Sequence, residues 1–206
     1  MKLILLTVFT VLVLFTVSGQ DKETASEGWI RLFDGETFDG WKASEHPSTF
    51  TISNGMIVVF GERAHLFYQG PVANHDFKNF EFKAAVMTAP GSNSGMFIHT
   101  AYQEEGWPSK GYEVQVNNTH TDWRKTGSIY GVQDVKEAPA KDNEWFTEEI
   151  TVQGKKITVK INGKIINEYA VPDAGGRLSR GTVALQGHDP KSKVFYKDVM
   201  IRLLPD

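Results

Sequence analysis

The 206 residues are 40% hydrophobic and 23% charged, with no cysteine and a formal net charge of −3, a composition ordinary for a globular domain that excludes any disulfide framework. Aromatic residues make up 12% of the chain, enough for a sizeable core and too many for intrinsic disorder. The mild acidity offers no basic stripe for a polyanion, so DNA, RNA and anionic membranes are set aside as partners and a small neutral ligand fits better.

Lys2 precedes an apolar run over residues 3–17, interrupted only by Thr7, Thr10 and Thr16 and closed by Ser18-Gly19-Gln20. A spanning helix needs about 20 apolar residues, and this run is shorter, with small residues at a suitable cleavage point. It reads as a secretory signal over 1–19, with a retained anchor as the alternative. The small polar stretch that follows is expected to be a linker over 20–28, and a single folded domain is expected over 29–206. The protein is accordingly expected to be exported, to the periplasm or beyond, with no membrane contact after cleavage.

From Trp29 onward short β-rich runs alternate with Gly, Asn, Asp and Pro clusters, and no sustained period of 3.6 competes with period-2 alternation. Strands are expected over 50–60, 77–88, 95–101, 111–117, 128–132, 181–187 and 194–203. Residues 150–169 read as a three-stranded meander turned at Gly154-Lys155 and at Asn162-Gly163, because Asn-Gly accepts the positive φ of a tight hairpin. Many short strands with so little helix predict an all-β sandwich or barrel.

Side chains alternate between sheet faces. In the run 111–117, Tyr112, Val114 and Val116 share the core face, and Glu113, Gln115 and Asn117 share the other. In 183–188 the same rule opposes Val183 and Leu185 to Gln186 and His188, provided the strand persists that far. Asn93, Gly95, Phe97 and His99 are expected on one face. If these strands are neighbours, they form a surface of amides, a carboxylate, imidazoles and aromatics, a composition that suits a sugar. A plain solvated face is the alternative, since antiparallel sheets often wet one side.

Several segments carry a resemblance. Leu32-Phe33-Asp34-Gly35 with Gly40-Trp41, Asn93-Ser94-Gly95-Met96-Phe97, Gly111-Tyr112-Glu113-Val114-Gln115-Val116, Thr126-Gly127-Ser128-Ile129-Tyr130-Gly131, Glu144-Trp145, Ile161-Asn162-Gly163 and Ala184-Leu185-Gln186-Gly187-His188 stand in this order. Together they resemble the 3-keto-disaccharide hydrolase family over residues 29–204. The resemblance implies a concanavalin A-like jelly-roll β-sandwich with its groove on a concave sheet. It also implies cleavage of glycosides already oxidised at C3 by a separate sugar 3-dehydrogenase, so that dehydrogenase is a functional partner. A C3 ketone acidifies the C2 hydrogen; a base removes it, the C1 substituent leaves by β-elimination, and water adds to the glycal. That route needs a base near pH 7, donors for the enolate oxygen and an acid for the leaving oxygen.

Glu113 and His188 are the catalytic candidates, and which of them is the base stays open. Asn93, Gln115 and Gln186 are expected as hydrogen-bonding groups for the substrate, with Tyr112 and Tyr130 as donors. Two positions depart from the family pattern: His99 stands where arginine is expected, and Asn117 where aspartate is frequent. Two long loops, 102–108 and 118–125, are expected to wall the groove with Trp107, His120, Trp123 and Arg124.

Other chemistries lack their motifs. Glu113-Val114-Gln115 places an amide where a laminarinase-type Glu-x-Asp-x-x-Glu strand needs an acid, and Asn118 replaces its last acid. Neither a zinc ligand pattern, nor Gly-x-Gly-x-x-Gly, nor Gly-x-Ser-x-Gly occurs in a suitable setting, so no metal or cofactor is expected. A noncatalytic carbohydrate-binding module on the same scaffold is the main alternative, and a protein-binding adhesion domain a third.

Overall fold

The computed structural model describes residues 28–173, 177 and 179–206; the segment expected to be a signal and most of the expected linker lie outside them. Thirteen strands follow one another: β1 (Trp29–Arg31), β2 (Trp41–Ala43), β3 (Phe50–Ser53), β4 (Met56–Phe60), β5 (Ala64–Tyr68), β6 (Phe80–Thr88), β7 (Ser94–Thr100), β8 (Tyr112–Val116), β9 (Phe146–Gln153), β10 (Lys156–Ile161), β11 (Lys164–Ala170), β12 (Thr182–Gly187) and β13 (Lys193–Leu203). They form two antiparallel sheets. An eight-stranded sheet runs β11-β10-β9-β6-β13-β4-β3, with β1 also paired to β13, and a five-stranded sheet runs β2-β5-β12-β7-β8. The expected all-β sandwich is the observed architecture.

Local chemistry explains the turns. The meander forms as expected, and Asn162 and Gly163 take φ of 50° and 76° between Ile161 and its partner Lys164. The expected run 50–60 is instead a hairpin, because Asn54 and Gly55 sit at φ of 51° and 74° and pair Ser53 with Met56. Residues 128–132 are no strand. Gly127 just before it and Gly131 within it lie at positive φ, and Ile129 makes only isolated bridges, to Val114 and Gln133. The segment still closes the free edge of β8, with Tyr130 N donating to Glu113 O and Gln115 N to Ser128 O, each at 2.9 Å.

The inner faces of the sheets enclose the core. Ile57, Leu66, Phe80, Phe82, Met96, Ile98, Ile150 and Tyr196 are fully buried there. A smaller cluster of Phe67, Phe97 and Ala184, with Tyr102 against it, is separate from this core. It lies on the outer face of the five-stranded sheet, where β5, β12 and β7 align these residues across the strands. That face is therefore partly apolar and covered, which is where a ligand floor belongs.

Candidate functional site

β12, β7 and β8 are adjacent, so the polar faces expected from alternation come together. Phe97 pairs with Glu113 and Gly95 with Gln115, while Gln186 pairs with His65 of β5. Above this floor lies a cavity of about 320 Å³, lined among others by Asn93, Glu113, Gln115, Tyr130, Gln186 and His188. Its walls come from loops, which supply Trp107, Pro108 and Arg177.

Glu113 sits at the floor with its Oε1 accepting from Gln186 Nε2 at 2.7 Å. Burial pushes its carboxyl up to about 7, against the pull of the Gln186 hydrogen bond and the Arg177 charge. At neutral pH it therefore exists in both protonation states, as a general acid or base must. Gly95 makes this position possible, since a Cβ there would lie 2.6 Å from Glu113 Oε1 and 2.9 Å from its Cγ. Beside it Gln115 Nε2 donates to Asn93 Oδ1 at 3.0 Å. The Oε1 atoms of Gln115 and Gln186 are buried and accept no hydrogen bond among the described residues. Unused acceptors at a cavity floor suit a ligand rich in hydroxyl donors.

β12 ends at Gly187, the end expected for this strand, and His188 just beyond it still lines the cavity. Its Nδ1 lies 2.7 Å from Asp189 Oδ2. Burial opposes the charge on Asp189, but hydrogen bonds from His188, Ser192 and the Lys191 backbone hold that carboxyl down to about 2. An ionised Asp189 only accepts, so His188 Nδ1 carries the hydrogen of that bond, and in the neutral ring the lone pair lies on Nε2. His120, His188 and Asp189 bring one possible metal-ligating atom each within 4.8 Å of one another. However, Asp189 already accepts from Lys191 N, Ser192 N, Ser192 Oγ and His188. The Asp189 carboxylate is thus committed to hydrogen bonds within its own turn.

The other expected site residues divide. Trp107 is at the wall, with its ring centroid 5.2 Å from that of His188 and 5.7 Å from that of His65. His120, Trp123 and Arg124 lie outside the lining, and His120 opens instead on a neighbouring depression with Thr119, Asp189 and Lys191. Arg124 stacks between Trp123 and Tyr130, 4.8 and 4.6 Å from their ring centroids, and bonds Asp134 at 3.3 Å, so the pair supports Tyr130 from behind. Asn117 is buried and occupied: its Nδ2 donates to the carbonyls of Asp122 and Arg124, and its Oδ1 accepts from His120 N. It shapes the 118–125 loop and does not face the cavity.

Two further expectations are corrected. Tyr112 is buried on the core side of β8, as alternation itself requires, and its hydroxyl accepts from Arg177 N at 3.4 Å. His99 leaves the face of Asn93, Gly95 and Phe97. It takes φ of 49° where the pairing of β7 with β12 slips register, and an extra residue in a strand reverses the direction of its side chain. Its Nε2 meets Lys78 O at 2.9 Å and its ring packs edge-on against core Phe80.

Sequence reasoning assigned no site role to Arg177, His65 or Asp189. Arg177 reaches the cavity from a loop after β11, its Nη1 donating to Gly111 O at 3.1 Å, and no local signal marks it. Asp189 was legible in principle, since Asp-Pro after a strand-end His sets an Asx turn.

This geometry has relatives. The sequence profile of the 3-keto-alpha-glucoside-1,2-lyase-like domain matches residues 28–202. The chain belongs to that family. A 3-keto-disaccharide hydrolase of Bacteroides thetaiotaomicron is 28% identical over 232 residues, covering 87% of this chain and 79% of the relative. With that relative, the expectation of an enzyme of the 3-keto-glycoside-cleaving type is borne out at the level of the family. Among solved structures, a Parabacteroides distasonis protein named as a glycosyl hydrolase superposes with a TM-score of 0.72 at 21% identity, covering 86% of this chain and 94% of that one. The β-glucanase of Bacillus licheniformis superposes at 0.59 with 9% identity, covering 87% of this chain and 100% of its own. At such identities these likenesses show the fold, a glucanase- and lectin-type jelly roll, and the family match carries the rest.

Proposed function

We propose that this family member cleaves 3-keto-disaccharides or related 3-keto-glycosides by elimination followed by hydration. His188 Nε2 takes the hydrogen at C2, and the electron pair forms a C2–C3 enolate whose charge rests on the C3 oxygen. Collapse of the enolate forms the C1–C2 double bond and expels the C1 oxygen, which takes its proton from Glu113. Water then adds across the glycal, hydroxyl to C1 and hydrogen to C2, for a net hydrolysis. Asn93, Gln115 and Gln186 hold ring hydroxyls, and Trp107 and Tyr130 give apolar faces to the sugar. The keto-sugar comes from a separate sugar 3-dehydrogenase, and the reaction takes place outside the cytoplasm after export.

One observation carries this reading. A carboxyl raised to about 7 shares a cavity with an imidazole whose proton is fixed by Asp189, an acid and a base separated by environment. The test is incubation with a 3-keto-glucoside and with its unoxidised parent in deuterated buffer, followed by NMR. Release of the aglycone from the keto-sugar alone, with deuterium at C2, is expected. Saturable binding of the unoxidised sugar with no turnover of either would replace this reading with a carbohydrate-binding module.

A further inference from the structure

We propose that Glu45, which lies outside the cavity lining, is a positioning residue for substrate affinity: with Arg63 it clamps the 102–108 loop and so holds the Trp107 ring in place as the sugar platform. The proposal rests on the reading above that Trp107 gives an apolar face to the sugar, and adds what fixes that face.

The clamp follows from strand register. β2 pairs with β5, Ala43 opposite Leu66, and Ser44 N continues the ladder to His65 O at 2.9 Å. The chain just past β2 therefore stays beside the chain just before β5, and His46 Nδ1 meets Arg63 O at 2.8 Å. Glu45 takes the Arg63 guanidinium as a fork, Nε donating to Oε1 and Nη2 to Oε2, both at 2.9 Å. Such a fork sets direction as well as distance. The same Oε1 also accepts from Gly106 N at 3.3 Å, which ties the loop to the sheet edge. The Glu45 side chain is 14% exposed. The Arg63 hydrogen bonds outweigh that burial and hold the carboxyl below the ordinary glutamate range, so it is charged at neutral pH.

Both arms of the clamp lead to Trp107. Gly106 precedes it directly, at φ of 77°, and the Arg63 guanidinium carbon stands 5.3 Å from the Trp107 ring centroid. Inside the loop Gln103 is a strut. Its Nε2 donates to Glu105 O at 2.6 Å and to Trp107 O at 2.9 Å, and its Oε1 accepts from Ser109 N at 3.2 Å and Ser109 Oγ at 3.1 Å. The Trp107 backbone is thus held from both sides, while the residue stays 46% exposed and lines the cavity. A half-exposed indole on an unbraced loop would lose its freedom when sugar binds. A braced one has lost it beforehand, so the brace acts on affinity.

The test is a double-mutant cycle on a 3-keto-glucoside. Trp107→Ala is expected to raise KM about tenfold, the upper part of what an aromatic contact contributes. Glu45→Gln sets an amide N–H against a guanidinium N–H and should raise KM about three- to tenfold with kcat within about threefold. Arg63→Lys keeps the charge but loses the fork and should raise KM by less. In the Trp107→Ala background Glu45→Gln should change KM by less than about twofold, because the platform it positions is gone. The same factor in both backgrounds would make Glu45 a structural residue only. A Glu45→Gln KM close to wild type, or a loss confined to kcat, would overturn the proposal as well. If the wild type binds the unoxidised sugar without turning over either sugar, the elimination reading falls, and the same cycle on the dissociation constant, measured by calorimetry, still decides the clamp. A wild type that neither cleaves nor binds would sink both.

Discussion

Two buried glutamates on opposite sides of the five-stranded sheet meet the same physics and have different consequences. Glu113 lies on the outer face of β8, bonded to Gln186 and open to a cavity. Glu148 lies on the inner face of β9, opposite Ala84 and Ile161, and both its carboxyl oxygens are buried with no hydrogen-bond partner among the described residues. Burial raises both carboxyls, Glu113 to about 7 and Glu148 well above the ordinary value. The difference is access. A raised carboxyl that substrate can reach is chemistry, whereas one sealed between sheets only weakens the fold as its proton becomes harder to keep.

The largest effect expected from this contrast is catalytic. Glu113→Gln removes the transferable proton but keeps the shape, and should lower kcat on a 3-keto-glucoside by about 100- to 10,000-fold with the thermal midpoint unchanged or higher. In the wild type kcat should fall as pH rises through about 7, since the leaving oxygen then loses its donor, and rate profiles would show it. Full activity in the glutamine variant would put Glu113 with Glu148.

Glu148→Met should do the reverse, leaving kcat alone and raising stability. The folded wild type holds the Glu148 proton above pH 4.5, where the unfolded chain has released it. Wild-type stability is therefore lost as pH rises, by about 1.4 kcal/mol per unit until the folded carboxyl itself ionises. Urea unfolding of both proteins at several pH values should show the methionine variant's advantage near its smallest below pH 4.5 and growing above it. A constant difference would mean that Glu148 has partners in solution.

The same contrast marks what could be read beforehand. Alternation placed Glu113, Gln115 and Gln186 because a period of two is a local property of an extended chain. It failed at His99, where one residue at positive φ reverses the pattern, and a register slip between distant strands leaves no local mark. It missed β5 entirely: all five residues, Ala64–Tyr68, are buried, and with both faces covered nothing alternates. Arg177 depends on contacts between segments far apart in sequence. The family segments fixed the fold because their turn glycines and core positions are local requirements, whereas the proton positions in the site are set by tertiary partners.

A smaller effect tests whether Glu113 depends on the room left by Gly95. Gly95→Ala adds a methyl 2.6 Å from the carboxylate oxygen and must push it aside. A loss of about 10- to 100-fold in kcat is expected, the usual result of misplacing a reacting group by about an ångström, with stability lower by about 1 to 3 kcal/mol. Unchanged kcat would show that the carboxylate does not need its present position.

His65 is the smallest and most discriminating case, because it is buried like Glu148 yet sits beneath the cavity wall like Glu113. Neither ring nitrogen has a partner among the described residues, and Phe67, Phe97 and Trp107 surround the ring at centroid distances of 6.1, 5.3 and 5.7 Å. Burial lowers its pKa to about 3, so over the interval from there to 6.5 the unfolded chain binds a proton that the folded chain refuses. Wild-type stability from this group is lost as pH falls, the mirror image of Glu148. His65→Phe keeps an aromatic ring in an aromatic cage and should raise stability by about 1 kcal/mol at neutral pH, by more as pH drops below 6.5, and leave kcat within about twofold. A marked loss of kcat instead would move His65 to the functional side, as an imidazole that substrate reaches by displacing Trp107.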